Sequence, residues 1–157
     1  MSLETKFNLR EETVEKLQKL IRYNFDSYEG FQKSAEEIEN PHLASLFQDL
    51  AHERSAMATE LQEYVEWNHE EAEDDGSALG AVHRAWIGIR GKLSDGDAYT
   101  VLSEAERGED AIQEAYEDVL KDIPGSALND VIQQQYARIK AAHDRIRDLR
   151  NHYRGED

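Results

Sequence analysis

Four segments of this chain repeat apolar residues every three or four positions, and each repeat is interrupted near its middle by one polar residue. Such spacing places the apolar residues on one face of a helix, so it predicts four amphipathic helices that bury those faces against one another. The interrupting residues would then enter the interior of a helical bundle as a buried polar layer. They are Asn24, Arg54, Glu109 and Gln135.

Breaks in the apolar pattern set the limits of the helices. Asn40 followed by Pro41 ends one helix and starts the next, and Pro124 marks the turn between the last two. Asn8 and Glu11 have the spacing of a capping box at the start of the first helix. The predicted helices cover residues 9–39, 41–69, 77–93, 97–121 and 126–153.

The lengths of the connections favour one topology. Short turns make two antiparallel pairs of long helices, and a long connection that contains the short helix 77–93 joins the pairs. We therefore predict an all-α fold, a ferritin-like antiparallel four-helix bundle with a long crossover containing a short fifth helix. A chain of 157 residues is expected to form a single domain. In this topology the second and third long helices run parallel, so Arg54 and Glu109 lie at similar heights.

The composition argues against several classes of function. The chain has 34 Asp and Glu against 18 Lys and Arg, a formal charge of -16. Neither nucleic acid nor an anionic membrane is expected as a partner, because both require clustered basic residues. The absence of cysteine excludes disulfides and thiolate chemistry, and leaves oxygen and imidazole as metal ligands. Without a membrane-spanning run or a signal sequence, the protein is expected to be cytoplasmic.

The motifs of common enzymes do not occur in the sequence. There is no Gly-rich phosphate loop, no nucleophile elbow and no serine with a placed histidine and aspartate. We predict no catalytic residues, and an enzymatic role is not favoured. The simplest interpretation of the polar layer is structural: Arg54 pairs with Glu109, bonds Asn24 and Gln135, and fixes the register of the helices. A metal site or a small-ligand pocket at the layer is the alternative.

Four motifs make the chain similar to a known family. They are Glu-Gly-Phe at 29–31, His-Arg-Ala-Trp at 83–86, Glu-Arg-Gly-Glu-Asp at 106–110 and Ala-His-Asp-Arg-Ile at 142–146. In order and spacing they resemble the YciF-like family, a bacterial ferritin-like group of uncharacterised function, and the resemblance runs from Leu9 to Tyr153. It implies a ferritin-like fold, a role in stress responses and a homodimer.

Ferritin-like carboxylate proteins bind two metal ions through glutamates and Glu-x-x-His motifs in the bundle core. This chain departs from that pattern, since Ala56 stands where the second helix would supply a histidine and Arg54 lies on the buried face. We therefore expect no cofactor, with iron or manganese as the alternative. If the chain binds metal as the resemblance to ferritin-like proteins implies, the candidate ligands are Asp26, Glu53, Glu106, Glu109 and His143. For His143 the simpler expectation is a partly buried histidine bonded to Glu104.

Two main functions are compatible with these observations. The favoured one is a non-enzymatic, stress-associated bundle that dimerises and binds a protein partner, which predicts an exposed apolar patch around Trp67 or Trp86. The alternative is a carboxylate-bridged di-metal protein or oxidase that uses iron or manganese. An interior pocket for a small ligand is a third possibility.

Overall fold

The computed structural model describes residues 4–76, 81–86 and 97–154. Within these ranges every regular element is a helix, and one isolated bridge joins Thr5 to Asn8. The predicted all-α bundle is confirmed. The helices are α1 (Glu11–Glu37), α2 (Pro41–Trp67), α3 (Ala81–Ala85), α4 (Ala98–Asp122) and α5 (Asn129–Arg154).

The observed bounds of the long helices lie close to the predicted ones. The largest difference is at the start of α5, which was expected at residue 126 and begins at Asn129. Helix α3 covers part of the predicted helix 77–93, and the remainder of that segment falls outside the described residues apart from Trp86.

The ends of α1 and α2 show how local hydrogen bonds set the helix limits. At the start of α2, Asn40 Oδ1 accepts hydrogen bonds from the amides of His42 (2.9 Å) and Leu43 (3.2 Å), as an N-cap does. The predicted capping box at the start of α1 is wrong. Asn8 instead exchanges backbone hydrogen bonds with Thr5, so α1 begins only after Arg10.

A carboxylate in the N-terminal segment takes over part of the capping role. Glu4 Oε2 accepts from the amide of Arg10 at 2.8 Å, and Glu4 Oε1 accepts from the amide of Ala127 at 2.8 Å. Burial raises the pKa of the Glu4 carboxyl. Hydrogen bonds from the Thr13 side chain and from the amides of Arg10 and Ala127 outweigh this effect, so the pKa is lowered. The N-terminal segment therefore ties the start of α1 to the connection between α4 and α5.

The helices pack so that neighbours run antiparallel. Helix α1 packs on α2 and on α4, and α4 packs on α5. Lys16 contacts Asp122 and Asn24 contacts Tyr116, so later residues of α1 meet earlier residues of α4. Because α2 and α4 are each antiparallel to α1, they run parallel to each other across the bundle. This direction is what allows Arg54 to reach Glu109.

Helix α3 covers the groove between α1 and α4, on which it packs. Trp86, the residue after α3, belongs to the main core and is only 2% exposed. No helix in the described ranges combines the length and the apolar character needed to cross a membrane.

Candidate functional site

An ion pair lies in the centre of the bundle. Arg54 of α2 and Glu109 of α4 have no exposed surface. Arg54 Nη1 donates to Glu109 Oε1 at 2.5 Å, and Arg54 Nη2 donates to Oε2 at 2.7 Å. Burial lowers the pKa of Arg54, but the charge and hydrogen bonds of Glu109 outweigh it, so the pKa is raised. The planar fork of the guanidinium therefore uses both oxygens of the carboxylate.

Aromatic rings line one side of this pair. The guanidinium of Arg54 lies over the ring of Phe31, with its carbon 5.3 Å from the ring centroid. Phe31 in turn meets Trp86 edge to face, with centroids 4.9 Å apart and planes at 69°. A cation over an aromatic face gains electrostatic stabilisation that grows when water is excluded.

Two glycines allow Trp86 to reach this position. A Cβ atom added to Gly30 of α1 would come within 2.2 Å of the indole, and one added to Gly108 of α4 within 2.1 Å. Any side chain at either position would require the indole to shift. Gly30 and Phe31, Trp86, and Gly108 and Glu109 come from three of the four motifs noted in the sequence, so the fold brings those motifs together at the ion pair.

A second group of buried polar residues is neutral and centres on Tyr116. Asn24 Nδ2 donates to the Tyr116 hydroxyl at 2.7 Å and to the Leu20 carbonyl at 2.8 Å. The hydroxyl donates to Gln135 Oε1 at 2.6 Å, and Gln135 Nε2 donates to Glu60 Oε1 at 2.7 Å. Burial raises the pKa of Tyr116, so its hydroxyl keeps its proton. These bonds link all four long helices.

The predicted single layer is therefore two levels, which we call the ionic level (Arg54, Glu109) and the neutral level (Asn24, Tyr116, Gln135). Tyr116 follows Glu109 by seven residues on α4, which is two helical turns or about 10 Å. The expectation that Arg54 bonds Asn24 and Gln135 is wrong, because Tyr116 bonds both. Tyr116 was not predicted as part of the polar layer, because tyrosine was treated as an apolar residue. A buried tyrosine hydroxyl needs a hydrogen-bond partner, and this need could have identified it from the sequence.

Four of the five residues considered as metal ligands have other partners. Glu109 is bound by Arg54, and Glu106 forms an ion pair with Arg150. Asp26 faces His83 (Oδ1 to Nδ1, 3.7 Å), and His143 contacts Asp110 and Asp144. Glu53 is half-buried, and its buried Oε1 has no hydrogen-bond partner among the described residues.

This donor set does not fit a carboxylate-bridged di-metal centre. Among the described residues no three His, Asp or Glu side chains are grouped so that they could hold a metal ion. Guanidinium groups bind Glu106 and Glu109, two of the carboxylates considered as ligands. A divalent cation beside Glu109 would also be repelled by Arg54.

The partner expected for His143 is wrong. Its Nε2 lies 2.6 Å from Asp110 Oδ1 and its Nδ1 lies 3.2 Å from Asp144 Oδ1, whereas Glu104 pairs with Arg107. Burial lowers the pKa of His143, but the hydrogen bonds to the two aspartates outweigh it, so the pKa is raised. With a carboxylate at each ring nitrogen, His143 links α5 to α4 through its contact with Asp110.

The apolar patch expected at one of the two tryptophans lies at Trp67. Its side chain is 46% exposed, and Phe7, which contacts it, is 68% exposed. Trp86 is not part of an exposed patch, because α3 places it in the core.

A family model described as a domain of unknown function, DUF2383, matches residues 12–122. The match spans α1 to α4 and includes both residues of the ionic level. No curated protein matches the chain. The chain therefore belongs to the DUF2383 family.

Proposed function

We propose that this member of the DUF2383 family is a ferritin-like bundle in which an internal arginine takes the place of metal, and that it acts without enzymatic activity by binding a protein partner. The bidentate pair between Arg54 and Glu109 carries the proposal. In carboxylate-bridged bundles, metal ions neutralise the buried carboxylates. Here the guanidinium does so, and its positive charge repels a second cation beside Glu109.

Three further observations support parts of this proposal. The parallel direction of α2 and α4, with a long crossover between them, supports a ferritin-like topology. The resemblance to the YciF-like family supports a stress-associated role and a homodimer. The exposed rings of Phe7 and Trp67 support a protein partner, because exposed aromatic residues are enriched where proteins bind one another.

Metal content tests the proposal most simply. Protein purified without chelator or metal-affinity resin is analysed by mass spectrometry, before and after aerobic incubation with ferrous iron. We expect well under one iron or manganese ion per chain in both samples. About two ions per chain, as in di-metal bundles, would contradict the proposal.

Matched variants show where any metal binds. If the wild-type protein holds metal, Glu109→Gln identifies whether the carboxylate of the ionic level is a ligand. Asp118→Asn is the control, since Asp118 is an exposed carboxylate on the same helix. Loss of metal in Glu109→Gln alone would establish a metal site in the bundle interior.

The proposed homodimer has its own test. Sedimentation equilibrium should give a mass near twice the 18.0 kDa of the chain. A mass of one chain at all accessible concentrations would remove the homodimer from the proposal and leave the metal-independent interior unaffected.

A further inference from the structure

The two large apolar side chains most open to solvent in the described ranges lie together at one end of the bundle. Phe7 is 68% exposed and Trp67 is 46% exposed, and their ring centroids are 5.5 Å apart. Tyr64 meets Trp67 edge to face at 5.1 Å. We call Phe7, Tyr64 and Trp67 the aromatic patch. Clustered aromatic residues of this kind are common anchors of protein interfaces.

The backbone beneath the aromatic patch is fixed by one side chain. Asn68, at the end of α2, accepts from the amide of Leu9 at 2.8 Å. Its Nδ2 donates to the carbonyls of Lys6 (2.9 Å) and Tyr64 (2.8 Å). The segment that carries Phe7 is therefore tied to the helix that carries Trp67. A partner would meet a preorganised surface, which lowers the entropy lost on binding.

An acidic groove adjoins the aromatic patch. It has a volume of about 450 Å³ and lies between the start of α1 and the residues that follow α2. Leu9 and Val14 contribute partly buried apolar surface, and Glu11, Glu15 and Glu70 contribute exposed carboxylates.

The groove carboxylates lack the pairing seen for nearby charges. Lys6 pairs with Asp130 and Lys16 with Asp122. By contrast, none of the groove carboxylates Glu11, Glu15 and Glu70 forms an ion pair in the part of the chain that the structure describes. The groove thus joins apolar surface to negative charge that no cation of the described residues neutralises.

We infer that the aromatic patch and the acidic groove bind a segment of a partner protein in which apolar side chains are flanked by Lys or Arg. The inference rests on the proposed protein-binding function and specifies the chemistry of the partner. Apolar side chains of the segment pack on Phe7 and Trp67 and enter the groove beside Leu9 and Val14. Its cations meet the groove carboxylates and the faces of the aromatic rings.

A synthetic amphipathic peptide of leucine and lysine is the probe, and its binding is measured by fluorescence anisotropy of a label on the peptide. The double variant Phe7→Ser/Trp67→Ser should weaken binding by about tenfold or more, because it removes the aromatic anchors. Circular dichroism and unfolding of the variant check that it folds. A peptide with glutamate in place of lysine should not bind.

Two variants of equal charge separate a local site from general attraction to an acidic protein. Glu11→Gln/Glu15→Gln/Glu70→Gln removes the groove carboxylates and should weaken binding by about tenfold. The matched control removes three exposed carboxylates farther along the bundle, Glu39→Gln, Asp49→Asn and Glu114→Gln. This control should change binding by less than about twofold, since exposed charges beyond a Debye length are screened.

Several results would overturn the inference: no binding of the peptide, unchanged binding in the aromatic variant, or equal losses in the two charge variants. Dissociation of a wild-type homodimer by Phe7→Ser/Trp67→Ser would also overturn it, because a second copy of the chain would then cover the patch. The metal measurement is independent of these results, so failure of the docking site can be told apart from failure of the metal-independent interior.

Discussion

The ionic level and the neutral level both bury polar groups in the bundle, but they do so in different ways. At the ionic level, two residues on diagonally placed helices share two charged hydrogen bonds, and the buried Nε of Arg54 has no hydrogen-bond partner among the described residues. At the neutral level, the Tyr116 hydroxyl accepts a hydrogen bond from Asn24 and donates one to Gln135. Gln135 in turn donates a hydrogen bond to the exposed Glu60.

The two levels therefore have different roles in the bundle interior. At the ionic level the two charges neutralise each other, and each oxygen of Glu109 accepts one hydrogen bond from Arg54. The neutral level links α1, α4, α5 and α2 by shared hydrogen bonds, so it fixes how the four helices align. Removing one residue of the ionic level leaves a buried charge without a partner. Removing one residue of the neutral level leaves a buried polar group without a partner, which costs less free energy.

The largest expected effect comes from breaking the ionic level on one side. Arg54→Met leaves Glu109 buried without a counter-charge, and should lower the free energy of unfolding by about 3 to 5 kcal/mol in urea denaturation. Arg138→Met is the control, because Arg138 is exposed on α5, and should change it by less than about 0.5 kcal/mol. Equal stability of Arg54→Met and the parent would show that Arg54 does not neutralise Glu109 in the interior.

The second-largest expected loss of stability concerns the contact between Gly108 and Trp86. Gly108→Ala places a Cβ against Trp86, and should lower the free energy of unfolding by about 1 to 3 kcal/mol through overpacking. This loss should exceed the gain of about 1 kcal/mol in helix propensity. Gly125→Ala is the control, since an added Cβ there meets nothing within 4 Å. If Gly108→Ala were the more stable of the two, the indole would not occupy this groove.

Tyr116→Phe tests the neutral level. The change removes the hydroxyl and leaves Gln135 Oε1 without its donor, so the free energy of unfolding should fall by about 1 to 2 kcal/mol. Tyr136→Phe removes a hydroxyl that donates to Glu117 at the surface, and should cost less than about 0.5 kcal/mol. Similar losses in the two variants would show that the neutral level is no more important than a surface hydrogen bond.

The smallest effect concerns His143, whose charged contacts lie at the edge of the bundle. Because the pKa of His143 is raised in the folded state, its charge stabilises the fold below the ordinary pKa of 6.5. This contribution is lost as the pH rises through the folded-state pKa. Solvent screens the contacts with Asp110 and Asp144, so the difference should be less than about 1 kcal/mol.

The measurement for His143 is the free energy of unfolding of the parent and of His143→Gln between pH 5 and pH 8, in the range where histidine titrates. The two should differ most at the acidic end and converge at the basic end. His52→Gln, at an exposed position on α2, is the control and should follow the parent throughout. A difference that grows with rising pH would contradict the assignment.

The sequence was sufficient for the helices and for the ion pair. Periodicity located the long helices because their stability comes from burying one apolar face. Arg54 and Glu109 could be matched because a charge on a buried face needs a partner, and because the crossover makes α2 and α4 parallel.

The contacts missed from the sequence depend on how far each helix is rotated and how closely helices approach. Tyr116 fits an apolar pattern as well as a phenylalanine would, so its hydroxyl gave no periodic signal. The glycines opposite Trp86 could not be identified as its contacts, since their role depends on the separation of α1 and α4. His143 was matched to Glu104 instead of Asp110 because the two carboxylates lie on different parts of the α4 surface.

The most direct test of the central claim is the coupling free energy between Arg54 and Glu109, from unfolding of the parent, Arg54→Met, Glu109→Leu and the double variant with chelator present. Each single variant should be destabilised by about 3 to 5 kcal/mol and the double variant by much less, so that the two losses are far from additive. Losses that simply add would mean that the two side chains do not depend on each other, which would contradict an interior neutralised by Arg54.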